Sequence, residues 1–347
     1  MLERLINSHW TSNVVVLLLV LGGIWVGRRI RGNEIWRGAM VDAFKRSPIA
    51  WGVLGLYVLI GLADSIAWVG GAEASAGGDQ VARYEARSIV DRAFAKAPEK
   101  SYSAPLAQRE FARDRPLREP GSHLLGTDKL GRDVLYVTLK GVRVALLVGG
   151  LTSLISIPLA LLFGVLAGYF GKWIDEGVFF VMSTLASMPS VLLLVAMITA
   201  LPRSTLSVCI ALGITSWVGF CRLARGETFK LRELDYVAAA RALGASDTTI
   251  IMRHILPNLL HLVLIRFVLL FSGLVVSEAV LSWLNIGVSG SWGEMVAQAK
   301  NELSREPLVW WNITGATFGI VGLLVAVNMV GDTIRDALDP RTRGERN

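Results

Sequence analysis

The chain of 347 residues is 53% hydrophobic and only 18% charged, with a formal net charge of +7. A soluble domain carries about 25% charged residues, whereas apolar runs of about 20 residues, long enough to cross a bilayer, recur throughout this sequence. That excludes a soluble enzyme, a disordered scaffold and a collagen-like fibre. The runs do not alternate, so a transmembrane barrel is excluded as well, and the expected fold is an all-α polytopic membrane protein.

In chain order, hydropathy predicts seven spans, near 11–27, 48–70, 144–168, 174–200, 204–224, 258–286 and 309–331. Residues 1–47 read as an N-terminal span followed by a basic segment, in which Arg28, Arg29, Arg31, Arg37, Lys45 and Arg46 face only Glu34 and Asp42. No small-residue cleavage site follows the first run, so it reads as an anchor. Basic residues gather again in 225–257 and in the tail 335–347. Seven spans put all three segments on one side, which the positive-inside rule makes cytoplasmic, with the N-terminus external and the C-terminus internal. The positive charge therefore encodes topology in a lipid bilayer and does not point to nucleic acid.

The first core span, 48–70, leads to an external segment, 71–143. Within it, 71–131 is nearly balanced in charge, with ten basic and nine acidic residues. Ala82, Ala86, Ile89, Val90, Ala93, Phe94 and Ala97 recur at helical spacing there, and Pro98 closes the pattern. The remaining core, 144–334, contains Pro158 and Pro189 inside spans, which membrane helices tolerate. Cys209 and Cys221 lie on one predicted helix, roughly 18 Å apart, too far for a bridge. A second external stretch, 287–308, has a helical pattern over Met295–Leu303, and Trp292, Trp310 and Trp311 read as interfacial anchors.

The cytoplasmic segment 225–257 carries the strongest local pattern. From Asp235 to Asn258 it reads as helix, glycine break, helix. Tyr236, Ala240 and Leu243 share one face, and Gly244 stands where a left-handed helix end is needed. Ser246 or Asp247 can cap the next helix, and Pro257 stands where a membrane helix would begin. The run Ala238-Ala239-Ala240 leaves a small-residue surface that another backbone can approach closely.

This segment resembles the EAA loop of permeases from binding-protein-dependent ABC importers. Ala239, Ala240, Gly244, Leu256 and Pro257 match, Arg241 and Asp247 lie within the same loop, and Ala238 stands where the family usually has Glu. His123-Leu124-Leu125-Gly126-Thr127-Asp128-Lys129-Leu130-Gly131-Arg132-Asp133 resembles the external signature of the C-type permease in oligopeptide, dipeptide and nickel importers. Glu278–Gly287 and Gly331–Arg341 resemble two further motifs of that subgroup, in the family's order. The resemblance covers about 40–347 and implies a six-helix core, to which the first span is an addition. It also implies a second homologous permease subunit, two ATP-binding subunits and an external solute-binding protein. Peptides or peptide-like solutes are the expected cargo, with nickel chelates or glycosides as the alternative, carried across a bacterial inner membrane.

Three intramembrane charges, Asp64, Arg266 and Glu278, are candidates for lining the translocation path, with helix-packing contacts as the competing reading. His123, Asp128 and Asp133 offer three metal-type ligands, a pattern polar loops often produce by chance, so no metal is assigned. The sole Gly-Lys pair, Gly171-Lys172, precedes Trp173 and is no phosphate loop. The chain is therefore expected to bind no cofactor and to be no enzyme, with ATP and Mg on partner subunits. Gly287-Val288-Ser289-Gly290 fits a short intramembrane serine-protease motif, yet no histidine lies in 309–331 to serve as its base. An ATP-independent channel is the other rival, and it leaves the small-residue hairpin without a purpose.

Overall fold

The computed structural model describes residues 28, 32, 34–69, 86–94, 98–111, 115–202 and 204–338. The predicted span 11–27 lies outside them. Five helices are long and apolar enough to cross a membrane, or six if one sharply bent pair counts as a span. The elements in order are α1 (Glu34–Arg46), α2 (Pro48–Ser65), the strands β1 (Ala67–Val69) and β2 (Ala86–Ser88), and α3 (Ile89–Ala93). They continue with α4 (Val134–Phe170), α5 (Lys172–Ser187), α6 (Ser190–Ala200), α7 (Thr205–Arg232), α8 (Asp235–Ala242) and α9 (Asp247–Ile250). A π-helical turn (Ile251–Ile255) leads into α10 (Leu256–Trp283), and α11 (Trp292–Glu302) and α12 (Trp311–Leu338) complete the chain.

Several elements depart from the sequence reading for identifiable reasons. Among the described residues of the helix expected over 82–97, α3 starts only at Ile89, because the Ser88 hydroxyl and the Asp91 carboxylate form a capping box there. The residues just before it pair antiparallel with β1, with Trp68 opposite Arg87. That strand also ends the first core span at Ser65. The fourth helix begins at Val134, ten residues before the predicted start, and runs without a break through Pro158. Pro189 behaves differently: α5 and α6 meet there at 93°. A proline fixes its own φ, lacks an N–H and disfavours helical geometry in the residue before it, and Met188 is accordingly extended, with ψ 137°.

The described residues divide into two compact units: those up to 41, within 47–146 and 278–326 form one, and those within 42–46, 147–277 and from 327 on the other. In the first, Trp292 is 2% exposed and Trp311 1%. Trp292 Nε1 donates to the Thr138 carbonyl at 2.8 Å, and Trp311 Nε1 to the Thr127 carbonyl at 2.9 Å. These two indoles are thus packing staples and not the interfacial anchors expected; Trp310 is 48% exposed. Small residues admit them: a Cβ added at Gly141 or Gly319 would come within 2.5 Å of the Trp292 ring. In the second unit, Gly164 and Gly168 of α4 let α7 approach so closely that added Cβ atoms would lie 2.8 Å from the Cys221 carbonyl and 2.7 Å from that of Arg225. Cys209 and Cys221 are both fully buried packing residues.

Candidate functional site

The helix–glycine–helix hairpin belongs to the second unit. Its first arm, α8, follows an extended Leu234 and packs by Val237, which is fully buried against Val165, Tyr169, Ile250, Ile255 and Leu259. Of the residues that share a face by spacing, Tyr236 and Leu243 are 42% and 89% exposed, while Ala240 is half-buried against the same cluster as Val237. Gly244 has φ +83°, the left-handed conformation that a glycine adopts without a Cβ clash. The Ser246 hydroxyl then accepts the Thr249 N–H, so Ser246 and not Asp247 is the cap.

Asp247 has another partner. Its carboxylate accepts the Tyr169 hydroxyl at 2.6 Å, and Arg241 donates to the same Tyr169 oxygen at 3.2 Å. Arg232 reaches the Gly168 and Tyr169 carbonyls at the end of α4. Tyr169 thus holds both arms of the hairpin, a role that hydropathy could not suggest. The outward surface comprises Ala238, Ala239, Leu243 and Gly244, with Met252 and Pro257 on the second arm; Ala240 and Leu256 are half-buried.

Pro257 does not open a new helix. The second arm continues through the π turn into α10, giving one helix from Asp247 to Trp283. The Leu256 N–H bonds to the Ile251 carbonyl, five residues back. A proline at 257 removes the N–H that would reach Arg253 and clashes with that carbonyl, and the wider turn relieves both. Hairpin and membrane helix are therefore mechanically continuous.

The His123–Asp133 signature folds around its own polar groups in the first unit. The Thr127 hydroxyl, fully buried, accepts the Ser103 N–H at 2.7 Å and donates to the Ser101 carbonyl at 2.9 Å. Asp128 accepts the N–H groups of Leu130 and Arg132 and pairs with the Arg132 guanidinium at 2.8 Å. Neither caps the following helix. Asp133 does so, accepting the Leu135 N–H at 2.8 Å, while its other oxygen lies 2.9 Å from His123 Nδ1. His123 Nε2 faces the Glu99 carboxylate at 3.6 Å. Burial pushes the Glu99 carboxyl up, but the amides of Arg118 and Glu119 and the His123 ring outweigh it and hold it below the usual range. Gly126 and Gly131 have φ of +70° and +72°, and a Cβ at Gly131 would lie 1.8 Å from the Glu99 carbonyl oxygen, so only glycine fits. Among the described residues, no group of three or more His, Cys, Asp or Glu could hold a metal.

The three intramembrane charges have separate surroundings. Asp64, 1% exposed, accepts the Ser88 hydroxyl at 2.7 Å and lies 3.2 Å from Lys140 and 3.9 Å from Arg143. It ties α2 to α4 and to the β1–β2 hairpin. Glu278, 5% exposed, accepts the Ser282 hydroxyl at 2.5 Å and the Val288 N–H at 3.3 Å, clasping the turn after α10. Both geometries are those of packing contacts. Arg266 lies against Gly219 of α7. Ser289 sits by Glu294, at 3.5 Å, and not by an imidazole.

Residues 160–344, spanning the hairpin, match the model of the family described as binding-protein-dependent transport system inner membrane component. The glutathione transport system permease protein of Pectobacterium atrosepticum is 33% identical over 68% of this chain and 79% of its own length. The oligopeptide transport system permease protein OppC of Bacillus subtilis is 31% identical over 64% of this chain and 72% of its own. For the dipeptide permease DppC of the same organism the figures are 30%, 68% and 74%. With its apolar helices and exposed helix–glycine–helix hairpin, the chain belongs to the family of multi-pass inner-membrane permeases of binding-protein-dependent ABC importers, in its C-type branch.

Proposed function

We propose that this chain forms half of the membrane path of an importer for peptides or peptide-like solutes, switched between outward and inward access by ATP hydrolysis on partner subunits. The observation that carries this reading is the hairpin: an exposed Leu243 beside Gly244, backed by buried Val237 and clamped through Tyr169, on a second arm continuous with α10. A rigid surface of this kind transmits a push, because the buried face prevents it from folding back under load.

In this mechanism an external binding protein delivers solute, and two ATP-binding subunits, which hold ATP and Mg, close on the hairpin of this chain and of a second permease. Hairpin 235–257 lies on the cytoplasmic side, with the N-terminus outside and the C-terminus inside. Closure displaces α10 through the hairpin and reverses access. The ATPase must bind the two states with different affinity, since only a differential affinity shifts an equilibrium. The relatives' names, glutathione, oligopeptide and dipeptide, support a peptide-like cargo.

The test is purification of the tagged chain from native membranes, followed by reconstitution of everything that accompanies it. Recovery of a second permease and ATP-binding subunits, with ATP-dependent uptake of peptides presented by a binding protein, is the expected result. A chain that comes out alone, or transport that proceeds without ATP, overturns the proposal.

A further inference from the structure

Arg266 is a cation within a membrane helix to which no described residue supplies an anion. It lies roughly 15 Å along α10 from Leu256. Among the described residues its guanidinium has no ion pair or hydrogen bond, and its Nε is buried without a partner. Arg225, by contrast, meets Asp175 with two nitrogens, and Arg232 meets two carbonyls. A charge in a membrane helix is costly, so one that persists without an internal partner normally faces a cavity or a ligand.

The surroundings are shaped around this group. A Cβ added at Gly219 would stand 2.8 Å from Arg266 Nη2, so the glycine opens the notch that the guanidinium fills. A guanidinium has only donors, arranged in a planar fork that matches a carboxylate.

We infer that Arg266, set in the Gly219 notch, binds the carboxylate of the transported solute as it crosses the membrane. This rests on the permease reading and adds a chemical class to it: solutes bearing a free carboxylate.

The experiment uses the whole transporter in phosphatidylcholine vesicles, with trialanine and trialanine amide as solutes. Each variant's initial rate is divided by the wild-type rate for the same solute, which cancels the preference of the binding protein. Arg266→Gln is expected to slow trialanine about tenfold and the amide less than about threefold. Arg266→Lys keeps the charge but loses the fork, and should slow trialanine alone by a smaller factor. Equal losses for both solutes in both variants, or no loss in either, overturn the inference. So does a loss that follows added phosphatidylglycerol and not the solute carboxylate, because the guanidinium then serves lipid phosphate. Wild-type vesicles that import neither solute overturn the peptide reading of this transporter, a separate failure.

Discussion

Trp311 Nε1 donates to the Thr127 carbonyl at 2.9 Å across 184 residues of sequence. The indole is 1% exposed, and Phe111 meets it edge-on at 4.9 Å between ring centres. The bond joins the start of α12 to the His123–Asp133 signature, and Gly126 beside it has its missing Cβ 3.1 Å from the same ring. The signature is therefore folded against a membrane helix and does not hang free as a loop.

Trp311→Phe retains most of the apolar contact and strands the Thr127 carbonyl. The expected loss is about 1–3 kcal/mol, the cost of a buried unsatisfied acceptor. Thermal unfolding of the purified chain in detergent, together with faster proteolysis between Glu99 and Asp133, would register it. An unchanged melting temperature would show that the carbonyl finds water or another donor.

Lys140 stands between Asp64 at 3.2 Å and Asp91 at 2.5 Å. Lys140→Met leaves Asp64 buried with only the more distant Arg143, and should cost about 3–5 kcal/mol, as breaking a buried pair does. Asp64→Asn combined with it should recover part of that loss. A Lys140→Met variant as stable as wild type would refute the clamp.

The same cluster fixes an acid limit. Burial pushes the Asp91 carboxyl up, but hydrogen bonds from Lys140, the Ser88 amide and the Tyr136 hydroxyl bring it down to about 2, from an ordinary 3.8. A depressed carboxyl contributes stability above its unfolded pKa and loses it as pH falls through the folded one. Stability should therefore decline between about pH 4 and pH 2, by on the order of 2 kcal/mol from this group. Asp91→Asn should flatten that part of the curve; an unaltered acid transition would remove Asp91 from the account.

At the hairpin, Gly244→Pro forbids the observed φ of +83°. The chain should still reach the membrane, while ATP-coupled uptake is abolished. Leu243→Asp changes a side chain that is 89% exposed and touches little of its own fold. It should leave stability within about 0.5 kcal/mol yet weaken co-purification of the ATP-binding subunits. Normal transport in the first variant, or normal co-purification in the second, removes the hairpin from the coupling path.

Pro257→Ala restores the N–H that can bond to the Arg253 carbonyl, so the π turn can relax to α geometry. That rotates the hairpin relative to α10 by about 100°. Uptake should fall while the stability of the chain rises or holds. A variant with wild-type uptake would mean that the π turn has no part in the register between hairpin and span.

The amino-acid sequence determined whatever depends on neighbours within a few turns of chain. Apolar runs marked the spans, the pattern from Asp235 to Pro257 marked a helix–glycine–helix hairpin, and Gly244 marked a left-handed helix end, found at φ +83°; the left-handed φ of Gly126 and Gly131 came from the structure. Hydropathy windows carry no information about partners far away in sequence. The contacts of Tyr169 with Asp247, of Asp64 with Lys140, of His123 with Glu99 and of Trp311 with Thr127 therefore emerged only in the tertiary structure. The same limit left the packed face of the hairpin open: Val237 and Tyr236 are both apolar enough to pack, and α4 and α10 decided which one would. Likewise Pro158 and Pro189 look alike in sequence, but one lies within an unbroken helix and the other ends a helix at a 93° bend. The difference lies in the surrounding packing, since a proline removes the same hydrogen bond in either place.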